Sequence, residues 1–206
     1  MLTAQQQAET AQLFRQVVRE VWIVTAAHAG RRGGLTVTWL SAASLDPQRP
    51  VVLVGLAPNH ATTPLVDASG HFAGHLLAAD QAELAWRFAS SSSRDVDKFA
   101  GLATSVGESG CPRLEDCLAR VECRVFHRHE TGDRTYFWGD VIDVRRTPPP
   151  VDGPNLEPLT DRAFFGGLSA DQRSLLIAQL QADLDIQRPL HAAWREPRAD
   201  LAGPRT

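Results

Sequence analysis

The chain has 206 residues, of which 43% are hydrophobic and 22% are charged, and its formal net charge is −3. This composition is typical of a folded globular protein and excludes a mostly disordered chain. Without a basic excess, a nucleic-acid partner is not expected, because phosphate backbones are bound mainly by Lys and Arg. No apolar run is long enough to cross a bilayer. Three cysteines without a CxxC pair indicate reduced thiols, and we therefore expect a cytoplasmic protein that binds no membrane.

The first part of the chain predicts a helix followed by strands that tight turns connect. Apolar residues spaced three to four apart over residues 5–20 indicate an amphipathic helix, and the domain that follows is expected to begin at residue 21. Residues 21–26 and 35–40 are rich in β-branched side chains and are predicted to pair as an antiparallel hairpin. Residues 29–34, five of which are Gly or Arg, are assigned to the turn.

The third strand, residues 51–56, leads into a loop and a short helix. Thr63 is the expected cap of that helix, Pro64 suits its first turn, and Gly70 suits the position after its end. The backbone N–H groups at a helix start can bind an anion, and Thr36 and Thr38 share one face of the preceding strand. Ordinary strand threonines and a capping residue would explain the same pattern, so both interpretations stay open here.

The rest of the chain predicts two further strand regions and two more helices. Residues 71–77 form an apolar strand, and residues 118–129 and 136–144 form a hairpin with its turn at residues 131–133. Capping-box patterns at residues 80–83 and 169–172 predict helix starts. Strands that follow one another through turns favour an antiparallel barrel with peripheral helices over a doubly wound parallel sheet. The glycines at residues 30–34 lack the G-x-G-x-x-G spacing of a dinucleotide-binding loop.

Few side chains stand out as chemical candidates. Trp39, beside several hydroxyl residues, is suited either to flank a planar ligand or to fill the barrel core. Arg94 and Lys98 could neutralise a phosphate or simply be solvated. Cys123, His127 and His129 would share one face of a regular strand. We expect no metal there, because no fourth ligand is evident and neighbouring arginines oppose a cation.

Several segments in this order resemble the flavin reductase-like family of FMN-binding split barrels, over residues 21–144. Gly34-Leu35-Thr36-Val37-Thr38-Trp39 with the later Ser44-Leu45-Asp46-Pro47 is similar to the central G-x-T-x-S signature that ends in S-L-D-P. Asn59-His60-Ala61-Thr62 falls where the family carries a phosphate loop. Pro112-Arg113-Leu114-Glu115 and Gly139-Asp140-Val141 complete the ordered set.

This resemblance implies a mainly β fold, a six-stranded antiparallel Greek-key split barrel with peripheral helices, and a homodimer with FMN near the subunit interface. It places the barrel at residues 21–147, after an N-terminal helix at 1–20. Residues 148–206 would be a linker and a helical extension on the barrel or the dimer partner. FMN would be the flavin, with FAD as an alternative, and NADH or NADPH the donor. The implied flavin contacts are Thr36, Val37, Thr38, Trp39, Ser41, Ala42, Asn59, Ala61, Thr62, Lys98 and Phe164, with Phe165 as an alternative to Phe164.

The departures from the family pattern leave more than one function open. Arg134 stands where many members have His, His75 replaces an Asn, and Ala42 replaces a common Ser. Lys98 and Arg134 are the candidates for stabilising negative charge on the reduced flavin. The leading prediction is an NAD(P)H-dependent flavin reductase that could supply a partner monooxygenase or another electron acceptor. An FMN-binding electron carrier of flavoredoxin type and a flavin-free split barrel are the alternatives.

Overall fold

The computed structural model describes residues 2–90, 92, 94–148 and 156–196. Within these ranges lie five helices and nine strands. The helices are α1 (Ala4–Gln16), α2 (Thr63–Ser69), α3 (Ala82–Ala89), α4 (Asp161–Gly167) and α5 (Ala170–Arg195). The strands are β1 (Trp22–His28), β2 (Arg31–Val37), β3 (Leu40–Ala42), β4 (Val51–Leu56), β5 (His71–Leu76), β6 (Thr104–Val106), β7 (Pro112–Leu114), β8 (Ala119–Glu130) and β9 (Thr135–Arg146). Of the predicted linker and extension at residues 148–206, residues 149–155 and 197–206 lie outside the described residues.

Seven strands form one antiparallel sheet that curls into a barrel. Their order is β2-β1-β5-β8-β9-β4-β3, while β6 and β7 form a separate two-stranded ribbon. In a flat sheet β2 and β3 would lie six strand spacings apart, about 29 Å. Only Thr38 and Trp39 connect them, and that connection spans at most about 11 Å. The sheet must therefore curl until its edges approach, which confirms the predicted mainly β barrel with seven strands in place of six.

The β1–β2 hairpin corrects the predicted turn at residues 29–34. Only Ala29 and Gly30 form the turn, with φ of 48° and 75°, and residues 31–34 already pair with β1. The glycines in this stretch serve packing instead: a Cβ on Gly34 would lie 2.6 Å from the Phe88 ring of α3. The absence of a side chain at Gly34 thus lets α3 approach β2 closely.

Two predicted helix starts also differ in the structure. Helix α2 begins at Thr63 itself, whose hydroxyl donates to the Ala57 carbonyl, so Thr63 is not the cap. Helix α3 begins without the predicted capping box: Gln81, not Asp80, is in the cap position, and its amide oxygen accepts from the Ala78 N–H. In both places the polar side chain forms a loop contact in preference to a cap.

The long β8–β9 hairpin breaks the regular alternation that residues 123–129 were expected to follow. A register shift lies between Val125 and His127, which moves the later residues to the other face. Cys123 is fully buried, whereas His127 and His129 are exposed. The three side chains therefore do not share a face, and among the described residues no group of His, Cys, Asp or Glu could hold a metal ion.

The barrel has one hydrophobic core inside and a second outside, under the helices. Phe72, Phe137 and Val54 are completely buried in the inner core. The outer core joins Ile23 of β1 to Phe88 of α3. Burying a side chain of this size contributes about 1.5–3 kcal/mol. The outer core thus fixes α3 and α4 beside β1 and β2, where a cavity opens.

Helix α5 follows all the barrel strands in the chain and lies against the outside of the barrel. It begins with the predicted capping box between Ser169 and Gln172. Only Gln187 among its residues is buried, and the helix is held by polar contacts to three loops. These contacts include the 2.8 Å hydrogen bond from the Gln179 amide to the Ser90 carbonyl. None of the helices in the described residues is long and apolar enough to span a bilayer.

Candidate functional site

A cavity of about 820 Å³ lies between β2, the loop before α2, the end of α3, and helices α4 and α5. This volume is within the range of sites for small molecules and cofactors, about 300–1,000 Å³. Strand β2 and the loop form the inner wall, and α5 forms the outer wall. Eight of the predicted flavin contacts line it: Thr36, Val37, Thr38, Asn59, Ala61, Thr62, Lys98 and Phe164.

The other predicted contacts lie outside this cavity. Ser41 and Ala42 are exposed on the short edge strand β3. Trp39 is 45% exposed, and the Arg134 guanidinium lies 5.0 Å from the centre of its ring. Arg134 and Lys98 are therefore not brought together at one site. Roles for Trp39, Ser41, Ala42 and Arg134 in flavin binding stay predictions.

One end of the cavity is polar. Asn59 Nδ2 donates to Asp183 Oδ1 of α5 at 2.6 Å, and His60 Nε2 lies 3.2 Å from Asp183 Oδ2. Arg94 Nη1 donates to the Asn59 carbonyl at 3.0 Å. Within the described residues, His60 Nδ1 is buried and has no hydrogen-bond partner. This end therefore presents amide, imidazole and guanidinium groups of the kind that bind anions and hydroxyls, together with the Asp183 carboxylate.

Lys98 is a buried cation in the cavity wall. Its Nζ donates to the carbonyls of Phe88 at 2.7 Å and Gly34 at 3.2 Å, so it ties α3 to β2. Burial lowers the pKa of Lys98 to about 8. The residue is thus charged at neutral pH and serves both as a structural clamp and as a positive group beside the cavity.

The apolar walls come from α4 and α5. Phe164 is 3% exposed and belongs to the outer core, whereas its neighbour Phe165 is 50% exposed and also faces the cavity. Phe165 is therefore better placed to cover a bound ring. Opposite β2, α5 contributes Ile177, Leu180 and Ile186.

The sequence predicts a helical extension on the barrel or the dimer partner, but not which residues of α5 line the cavity. The apolar spacing of Leu175, Leu176, Leu180 and Leu184 indicated an amphipathic helix, but not what its apolar face covers. No sequence pattern marks Asp183 as a site residue, because its partners Asn59 and His60 lie more than a hundred positions away in the chain.

This antiparallel barrel has a cofactor-sized cavity with apolar walls and one polar end, and a cavity of that kind is suited to bind a small molecule or cofactor. The chain belongs to the flavin reductase like domain family, which matches residues 14–162. The predicted family is therefore confirmed.

Individual relatives are similar over 59–78% of this chain. The FMN reductase (NADH) SmoA of Agrobacterium fabrum is 36% identical over 122 residues, covering 59% of this chain and 67% of that protein. The reductase component of a 4-nitrophenol 4-monooxygenase/4-nitrocatechol 2-monooxygenase from Rhodococcus opacus is 37% identical, covering 64% and 70%. The solved NADH:FAD oxidoreductase SgcE6 of Streptomyces globisporus C-1027 superposes with a TM-score of 0.65 at 27% identity, covering 78% and 90%. That protein has also been solved with NAD and FAD fragments.

The residues present fit a flavin. The unpartnered His60 Nδ1 can accept from a ligand hydroxyl, and Asn59 and Arg94 can donate to phosphate oxygens. Phe165 and Leu180 provide apolar surface for a planar ring. The cavity therefore offers the donors, charges and apolar walls that a phosphorylated flavin requires.

Proposed function

We propose that this protein is an NAD(P)H-dependent flavin reductase, with FMN as the preferred flavin and FAD as an alternative. The observation that carries the proposal is the 820 Å³ cavity with its apolar walls and its polar end, in a chain of the flavin reductase-like family. Relatives named FMN reductase (NADH) and NADH:FAD oxidoreductase support the same reaction class.

The protein's own residues bind, orient and shield the reactants. When bound, the flavin supplies the hydride-accepting chemistry. Thr38 and Asn59 offer polar contacts along the cavity, while Phe165 and the apolar face of α5 exclude water. Lys98 holds a positive charge beside the site, which favours a ligand that becomes more negative on reduction. No acid or base from the chain is required.

The assembly and location are parts of the same proposal. A monooxygenase is the proposed acceptor of reduced flavin, supported by the relative that is named the reductase component of such an enzyme. A homodimer is proposed from the resemblance to the family. Cys111, Cys117 and Cys123 are free and buried, which agrees with a cytoplasmic location.

The decisive experiment is an anaerobic flavin titration followed by NADH and then NADPH. We expect FMN to bind and its visible absorbance to bleach with at least one donor. FMN that binds but does not bleach with either donor would favour the electron-carrier alternative. No binding of FMN, FAD or riboflavin would contradict the proposal.

A matched pair of variants on α5 locates the site. Ala182 lines the cavity, whereas Ala178 is exposed on the same helix and is not among the lining residues. Ala182→Trp should fill the cavity and abolish flavin binding, and Ala178→Trp should leave binding unchanged. Equal binding by the two variants would place the flavin elsewhere.

A further inference from the structure

Asp183 places a carboxylate at the end of the cavity where the flavin phosphate is proposed to bind. Its two oxygens contact Asn59 Nδ2 and His60 Nε2, at 2.6 and 3.2 Å. These two side chains belong to the loop that resembles the family's phosphate loop. A carboxylate from α5 thus uses donors that a phosphate would need, because carboxylate and phosphate oxygens accept from the same groups.

The contact is part of a larger anchor between α5 and the barrel. Gln187 Nε2 donates to Asn59 Oδ1 at 3.2 Å, and Arg134 Nη1 donates to Gln187 Oε1 at 2.6 Å. Gln187 is the buried residue of α5. These hydrogen bonds fix the position of α5 against the loop, and they keep the Asp183 side chain against Asn59 and His60.

We infer that Asp183 competes with the phosphate group of FMN for Asn59 and His60, and so determines selectivity between FMN and riboflavin. This inference rests on the proposed function. Two physical effects act together: the donors are already occupied, and the carboxylate repels a phosphate that carries nearly two negative charges. Riboflavin has the same ring and ribityl chain without the phosphate, so it meets no such competition.

Competition of this kind would make FMN an exchangeable substrate. Binding of the phosphate requires the Asp183 contacts to break, and release of FMN is aided when they form again. A reductase that passes reduced flavin to another enzyme needs such release. The opposite role for Asp183 would be to orient the loop for binding, and in that case its removal would weaken binding of both flavins.

The test compares Asp183→Asn with Asp185→Asn, using FMN and riboflavin as the two ligands. Asn has nearly the shape of Asp and can still accept from the Asn59 amide. Asp185 is exposed on the same helix and hydrogen-bonded to Gln181, so its variant reproduces the charge change without the loop contact. We expect Asp183→Asn to tighten FMN roughly five- to tenfold, with riboflavin binding unchanged and Asp185→Asn without effect on either.

Other outcomes separate this inference from the proposed function. Unchanged or weaker FMN binding by Asp183→Asn, in a wild-type protein that binds FMN, would overturn the competition alone. Failure of the wild type to bind either flavin would overturn the proposed function, and the competition with it.

Hydrogen exchange of the wild-type protein provides a second measurement that does not depend on a variant's folding. Both flavins fill the ring site, so the difference between them isolates the phosphate. We expect amides around residues 183–190 of α5 to exchange faster with saturating FMN than with saturating riboflavin. Equal exchange in the two complexes would overturn the competition.

Discussion

His75 lies fully buried in β5 and uses both ring nitrogens. Nδ1 lies 3.1 Å from the Ile23 carbonyl, and Nε2 lies 3.0 Å from the Leu114 N–H. The tautomer that satisfies both partners is neutral, with its proton on Nδ1, because a proton on Nε2 would face another donor. Burial is the main cause that lowers the pKa of His75, to about 4 from an ordinary 6.5.

The first prediction follows from this lowered pKa. Between pH 6.5 and 4 the unfolded chain binds a proton at His75 that the folded chain does not, so the free energy of unfolding falls as the pH decreases. The loss from this group should be about 2 kcal/mol at pH 5. Urea unfolding at pH 7.5 and 5 should show a smaller loss for His75→Asn than for the wild type. His28→Asn, at an exposed position in β1, is the control, and equal losses in all three proteins would contradict the prediction.

Lys98 supports the second prediction, through its charge. Its pKa is lowered to about 8 by burial, so the ammonium is charged below that pH and neutral above it. We expect FMN affinity to fall several-fold as the pH rises from 7 to 9. Fluorescence titration of Lys98→Met should give weaker binding at pH 7 and no such step. Because the Phe88 and Gly34 carbonyls lose a donor, the variant should also lose about 1–3 kcal/mol of unfolding free energy.

One result would contradict the predicted role of the Lys98 charge in FMN binding. If Lys98→Met bound and reduced FMN as the wild type does, with the same dependence on pH, then Lys98 would be only a structural clamp between α3 and β2. Riboflavin titrations at the same pH values show how much of the effect depends on the phosphate.

At the level of elements, the turn between β8 and β9 packs directly against α5. Gly132 has a φ of 81°, and a Cβ there would overlap the Leu190 carbonyl. Gly30, in the β1–β2 turn, has a similar φ of 75° but faces open space. Alanine at Gly30 therefore adds only the free-energy cost of a left-handed backbone, whereas alanine at Gly132 also adds the cost of overlap with α5.

The third prediction compares alanine at these two positions. Gly30→Ala should lower the free energy of unfolding by about 1 kcal/mol, the cost of the backbone conformation. Gly132→Ala should in addition displace α5, which hydrogen exchange would detect as faster exchange around Leu190. It should also weaken riboflavin binding, because α5 is the outer wall of the cavity. Equal exchange of α5 in the two variants would show that the turn does not hold the helix.

For the whole molecule, the proposed homodimer needs an apolar surface, and the long β8–β9 hairpin offers one. Phe126 is 55% exposed and Val144 62% exposed on this hairpin, and such exposed apolar side chains are candidates for burial in an interface between two copies. The fourth prediction is a sedimentation mass of twice the 22.5 kDa chain. Phe126→Asp should shift the protein toward the monomer, and Val106→Asp, on the separate β6–β7 ribbon, should not. A monomer at every concentration would contradict the homodimer.

The sequence by itself determined the features that depend on neighbouring residues. A run rich in β-branched side chains predicted β1, and apolar runs predicted β4 and β5. The Ser169 capping box predicted the start of α5. Such signals lie within a few positions of the chain. The ordered segments also identified the family, and with it the cavity residues Thr36, Thr38 and Asn59.

Only the tertiary structure decided what distant segments do to one another. Gly34 proved to be a packing site for Phe88, and a strand bulge separated Cys123 from His127. Asp183 contacts Asn59 and His60, and local periodicity contains no information about partners so far away in the chain. Contacts of this kind arise when the closed barrel and its outer core fix the positions of whole elements, and here they decided which face of α5 covers the candidate flavin site.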